Sequence, residues 1–200
     1  MVCFTAYHGT GEKCAIAIEK QQQFTFVALR KDHWLGKGAY FFREDKEQAT
    51  LWALYKVRNN LTFRRQKPTI IKVILQLDEV HFLNLDTRDG LHYLRDFLEY
   101  LKNQENLKID GIVSEEEDKT IADKVRSYVL SLLPDDIWLI QRTFVVDSVF
   151  DRDELLAIMG IRLHGVQICL RNNNAIKPES IKIINKQKRY KARTFENIEI

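Results

Sequence analysis

The chain has 200 residues, 45% hydrophobic and 30% charged, with 31 basic against 28 acidic side chains and a formal net charge of +3. That size and mixture predict one soluble globular domain with room for a real core, and the charge is too small to argue by itself for a nucleic-acid partner. Cys3, Cys14 and Cys169 have neither CxxC nor metal-ligand spacing, so they fit reduced thiols and a cytoplasmic setting better than a disulfide scaffold, and no metal is expected.

No basic leader with a long apolar core follows Met1, and no apolar run approaches the roughly 18 residues of a membrane span. The run from Val2 to Tyr7 is strand-like and leads into His8-Gly9-Thr10-Gly11. A helix is predicted over Glu12 to Lys20, then loop or short strand over Phe24 to Asp32. Gly36 and Gly38 bracket one residue before Ala39-Tyr40-Phe41-Phe42, four residues of strand character. Asp45 stands three residues before Gln48, the N-terminal signature of a helix that would place Ala49, Trp52, Ala53 and Val57 on one face and end near Asn59-Asn60.

Thr69 to Leu77 is rich in β-branched residues and bounded by Pro68 and Asp78, which predicts a strand. Val80 to Leu85 is a further candidate. Leu91, Leu94, Phe97, Leu98 and Leu101 have helical spacing, predicting a helix over Thr87 to Asn103. Another helix is expected from Ser114 to Pro134, a strand from Ile137 to Val146, and a short helix from Asp151 to Met159. Val166 to Leu170 and Ile181 to Asn185 read as strands around a turn at Arg171 to Asn174. The whole predicts an α+β fold, a single domain over residues 1–200 with a mainly antiparallel core and a helical insertion over approximately 86–160. Lys186 to Arg193 carries five basic residues and no acid, which leaves open a solvated tail or a phosphate-contacting arm.

Tyr7-His8-Gly9-Thr10 and Gly36-Lys37-Gly38-Ala39-Tyr40-Phe41, in that order, resemble the catalytic core of the diphtheria-toxin-like and PARP-like ADP-ribosyltransferases. That family has a strand ending in His-Gly-Ser/Thr, then Gly-Lys-Gly-Ile-Tyr-Phe, then a glutamate opening a late strand. The stretch from His164 to Leu170 looks like that late strand and puts Gln167 where the glutamate would be. The resemblance implies a split antiparallel β core and NAD as a co-substrate without a metal.

Breaking the nicotinamide–ribose bond builds positive charge on the ribose, as in glycoside hydrolysis, so an enzyme must hold the carboxamide, pin the ribose and stabilise that charge. By resemblance, the Gly9 backbone would grip the carboxamide, His8 the adenosine-side ribose, and Thr10 would line the same pocket. Tyr40 would stack on the nicotinamide. Gln48 falls where the family has a serine on the carboxamide, and Leu51 where it has a second stacking tyrosine, with Trp52 compensating only if the helix register shifts. Gln167 can bond a ribose hydroxyl but cannot act as a base. This argues against polymer synthesis and leaves Glu154, or the run Glu115, Glu116 and Glu117, as other sources of a carboxylate. His33, His81, His92 and His164 read as surface or structural.

The expectation is a mono-ADP-ribosyltransferase that moves ADP-ribose to a macromolecular acceptor, protein or nucleic acid. Its size and lack of accessory domains fit a microbial toxin or defence effector with a neutralising partner. An NAD glycohydrolase, an NAD-dependent RNA 2′-phosphotransferase and a catalytically weak NAD- or ADP-ribose-binding module are the alternatives. The phosphotransferase normally needs an arginine-rich pocket around a histidine, which the sequence does not display.

Overall fold

A computed structural model of the chain describes residues 1–26, 33–104, 119–145, 158–159 and 163–184. In chain order it contains β1 (Val2–Gly11), α1 (Glu12–Gln21), β2 (Ala39–Arg43), α2 (Lys46–Asn59), β3 (Pro68–Leu77), β4 (Phe82–Asn84), α3 (Arg88–Asn103), α4 (Lys119–Ser131), β5 (Leu139–Val145), β6 (His164–Leu170) and β7 (Lys182–Ile183). Among the described residues the seven strands form one sheet in the order β4-β5-β6-β2-β1-β3-β7. The fold is α+β. Every neighbouring pair is antiparallel except β4 with β5, which run parallel.

Side chains alternate between the faces of a strand, and the registers sort this sheet cleanly. Phe4 and Ala6 of β1, Ala39 and Phe41 of β2, Ile71, Val73 and Leu75 of β3, and Ile168 and Leu170 of β6 form the first core cluster with Ala15 of α1. The opposite face carries two smaller clusters. In one, Phe42, Ala49 and Ile70 pack beside Tyr7 and Trp52, joining α2 to the sheet. In the other, Leu83, Ile140 and Cys169 pack with Leu35 and with Leu130 of α4. Helix α3 leans on α4 through Leu101 and Val129.

The segment expected as a helical insertion over 86–160 is helical only in part. After α4 it supplies β5, which lies inside the sheet between β4 and β6. Four apolar residues in sequence, at Trp138 to Ile140 after Ile137, suit a strand covered on both faces, and Leu139 and Ile140 are fully buried. Arg171, just past β6, fastens the end of α4 by donating to the carbonyls of Leu133 (2.6 Å), Pro134 (2.9 Å) and Ile137 (3.0 Å). These carbonyls belong to the turn that follows α4, where that of Pro134 also accepts from Ile137 N at 3.2 Å.

Element ends moved where pairing overrode local signals. Strand β1 continues through His8 to Gly11 because β3 pairs with it as far as Pro68. The strand expected at Val80 to Leu85 shrinks to Phe82–Asn84, preceded by a 3-10 turn over Glu79–His81. The expected starts of the helices at Ser114 and Asp151 lie outside the described residues. No helix among the described residues is long and apolar enough to cross a membrane.

Candidate functional site

Strands β1 and β3 register over ten residue pairs, whereas β1 and β2 register over two, Ala6 with Arg43 and Tyr7 with Phe42. Glu44 N donates to Thr5 O on the β2 side (3.0 Å), and Glu12 N donates to Lys67 O on the β3 side (3.0 Å). Backbone groups along an antiparallel strand turn alternately to its two neighbours. Gly9, an even number of residues from Thr5, therefore turns its N–H and C=O toward β2, beyond the point where that pairing has ended. Ile70, opposite Gly9, accepts instead from Ile184 of the far strand edge (2.9 Å). Lys56 of α2 reaches the Gly9 carbonyl with its Nζ at 3.3 Å.

A cavity of about 350 Å³ occupies this break in pairing. His8 and Thr10 line it from one sheet face together with Phe41, while Tyr40, Phe42 and Gln167 line it from the other. In an unbroken sheet those two sets would be separated by the backbone layer; only an interrupted ladder lets them meet. Phe24, Trp34 and Trp52 add further aromatic wall. Among the described residues no carboxylate lines the cavity, and Lys56 is its cationic group.

The His8 ring is fixed on both sides. Its Nδ1 lies 2.7 Å from the Tyr40 carbonyl, and a carbonyl only accepts, so Nδ1 carries the proton and Nε2 is the acceptor of the neutral ring. Phe24 and Phe41 hold the imidazole in edge contact, with centroids 5.4 and 5.5 Å away. Thr10 is buried beside it.

Tyr40 is held by the glycine turn that precedes it. Its hydroxyl accepts from Leu35 N and donates to Gly36 O, each at 2.7 Å. Gly36 takes a positive φ of 84° that a side chain would strain, and an added Cβ would come within 2.9 Å of the Leu130 backbone. Helix α4 braces this turn: Ser127 Oγ donates to the His33 carbonyl, Arg126 Nε donates to Trp34 O at 3.1 Å, and Ser131 Oγ accepts from Lys37 N at 3.0 Å. The ring of His33, 2% exposed, is stacked on Tyr40.

His33, read from the sequence as surface or structural, is a buried structural residue whose ring also reaches the cavity wall, and its place seven residues before Tyr40, at the entry to the glycine turn, is the signal for that. Lys56, Trp34 and Phe24 line the cavity without any motif in the sequence to mark them. Gln48 and Leu51 go the other way. Neither lines the cavity, and Leu51 is 54% exposed. Gly9 sets the register, since a Cβ there would stand 2.1 Å from Ala49 O and 2.9 Å from Ala53 N. With Ala49 and Ala53 against β1, the inward flank of α2 carries Trp52 and Lys56, one and two turns along, and Leu51 points outward. Glu154 and Glu115 to Glu117 lie outside the described residues.

Cys169, opposite Tyr40 across β2 and β6, is fully buried, and that burial pushes its thiol up to about 12. It is inert at neutral pH. Cys14 lines the cavity and is partly exposed.

No family model matches the chain, and no solved structure matches it. Over 111 residues it is 31% identical to an uncharacterized protein of Methanocaldococcus jannaschii, an alignment covering 56% of this chain and 50% of the relative. The chain thus spans about half the length of the curated relative it matches.

Proposed function

We propose that the chain is a mono-ADP-ribosyltransferase that cleaves NAD in the cavity at the β1–β2 break, on a split sheet of the ADP-ribosyltransferase type. The observation that carries this reading is the convergence of His8 and Thr10 from one sheet face with Tyr40 and Gln167 from the other. Four residues singled out by motif, 159 positions apart at the extremes, line one cavity of a size suited to a small ligand.

Each group matches a need of the reaction. The Gly9 backbone faces the break without lining the cavity, its carbonyl bonded by Lys56 Nζ at 3.3 Å, and a carboxamide would have to reach its N–H and share or displace that lysine. His8 Nε2 accepts a ribose hydroxyl. Tyr40, with its hydroxyl anchored, is a rigid aromatic surface for the nicotinamide, and Trp52 supplies the second aromatic wall that Leu51 does not. Gln167 holds the nicotinamide-side ribose as the C1′–N bond lengthens and positive charge develops. As an amide it takes no proton, so transfer is to an acceptor that is already nucleophilic or is activated by another group. The cavity is mostly apolar, which strengthens each polar contact within it.

An NAD glycohydrolase is the second reading, favoured by the lack of a lining carboxylate among the described residues. Nicotinamide release by the purified chain, with and without cell lysate, separates the two. The proposal expects release that rises with lysate and falls at least about a hundredfold in His8→Ala, in line with losing one transition-state contact. Gln167→Glu is expected to raise release. Release without lysate dependence points to the hydrolase, and NAD binding with no release leaves a binding module.

A further inference from the structure

Between Glu47 and Asp78 the sequence has no acidic residue and six basic ones, Lys56, Arg58, Arg64, Arg65, Lys67 and Lys72. The fold gathers five of them, with Lys13, at one corner of the molecule. Asn60 turns the chain at the end of α2, the Asn60 side chain accepting from Thr62 N at 3.0 Å. The segment Leu61 to Lys67 then folds back against the start of α1. There Gln66 Oε1 accepts from Lys13 N (3.1 Å), and Lys67 O accepts from Glu12 N (3.0 Å).

Lys13, Arg58, Arg64, Arg65 and Lys67 are exposed, while Lys56 sits inward on the cavity wall. The last turn of a helix favours cations, which accounts for Lys56 and Arg58. It does not account for Arg64, Arg65 and Lys67, which follow the helix. Arg65 even holds a positive φ of 69°, where glycine would be less strained. Aromatic rings run through this cationic corner. Trp52 lines the cavity and stacks on Tyr55, with centroids 5.5 Å apart and planes at 20°, and Tyr55 is 57% exposed. Lys56 Nζ lies 5.9 Å from both the Trp52 and Phe63 rings.

From this we infer that the corner is a docking surface for single-stranded nucleic acid, which is the acceptor of the transfer. Cations on an anionic membrane or acidic protein need no ring among them; a cationic track interleaved with an exposed stacking ring is the chemistry of single-strand binding. The ring pair Tyr55–Trp52 runs from that surface to the cavity wall, and so places bound bases beside the reacting ribose. The acceptor assignment rests on the transferase reading above; the binding surface does not. In the transfer, the C1′–N bond of NAD breaks and its electron pair stays on the nicotinamide nitrogen. A nucleobase N–H nitrogen forms the new bond to C1′, and its proton passes to water.

The test is binding of fluorescein-labelled single-stranded RNA and DNA 20-mers to the full chain across a salt series. Transfer of label from adenine-tagged NAD to the same oligonucleotides, and nicotinamide release, are followed in parallel. With five phosphates neutralised, log K falls against log salt with a slope of about −3.5, and Arg58→Ala/Arg64→Ala/Arg65→Ala flattens it to about −1.4. Tyr55→Ala weakens binding roughly tenfold at unchanged slope. All four positions are exposed, so melting temperature should hold. Oligonucleotide binding that is absent, or matched by polyglutamate or anionic vesicles and indifferent to Tyr55→Ala, overturns the surface. Oligonucleotide binding without labelling, while lysate raises nicotinamide release, overturns nucleic acid as the acceptor. Binding with the stated slope but no nicotinamide release supports the surface and overturns the transferase instead.

Discussion

The imidazole of His33 lies nearly flat on the ring of Tyr40, with centroids 5.1 Å apart and planes at 26°. One face of Tyr40 is therefore already covered, and a planar ligand has only the other. The carbonyl of His33 is in turn held by Ser127 of α4, so a helix that carries none of the motif residues positions the aromatic surface of the cavity.

On the proposed transferase reading, His33→Ala should uncover the second face and loosen the ring, raising KM for NAD roughly three- to tenfold with a smaller change in kcat, the range of one aromatic pair. His33→Phe should restore KM to near its original value. Steady-state nicotinamide release checks this; a loss in His33→Ala that His33→Phe does not recover would assign the effect to the imidazole nitrogens rather than the stack.

Gly9→Ala tests the register of α2. The new Cβ would meet backbone atoms, Ala49 O at 2.1 Å and Ala53 N at 2.9 Å, which cannot rotate away as a side chain does. Pushing the helix off β1 should cost roughly 2–4 kcal/mol. Urea denaturation measures it, and an unchanged midpoint would show that α2 does not sit this close.

Cys169 gives a pH-dependent prediction. Burial disfavours its thiolate and lifts the folded pKa from 9.0 to about 12. The unfolded chain therefore ionises first as pH rises. The stability contributed by keeping the thiol neutral is complete below about pH 9 and is lost between pH 9 and 12, at roughly 1.4 kcal/mol per pH unit for a fully buried group. Cys169→Ala should flatten that part of the stability curve relative to the parent. At pH 8 a thiol reagent should label Cys3 rapidly and leave Cys169 unmodified until the chain is denatured; rapid native labelling of Cys169 would contradict its burial.

Several elements were legible because their signals are local. The apolar periodicity of Arg88–Asn103 and Lys46–Asn59 follows from the helical repeat. Asp45 caps α2 by accepting from Gln48 N at 2.9 Å, as the Asp-to-Gln spacing implied. The β-branched run of β3 needed no tertiary information either. Likewise His8, Thr10, Tyr40 and Gln167 were nameable from short motifs, each of which stays within a few residues.

What the sequence by itself determined, then, was which segments are helix or strand and which residues make up the two short motifs. Tertiary structure alone decided that β5 enters the sheet, because a strand's place depends on partners distant in sequence. It decided that β1 extends to Gly11 and parts from β2 after Tyr7, since both outcomes depend on which neighbour supplies backbone partners. It also decided the inward residues of α2. Leu51 and Trp52 are both apolar and differ by one step of the helix, about 100° of rotation. The choice between them was made by the absence of a Cβ at Gly9, forty-odd residues away, and no periodicity within the helix could reveal it.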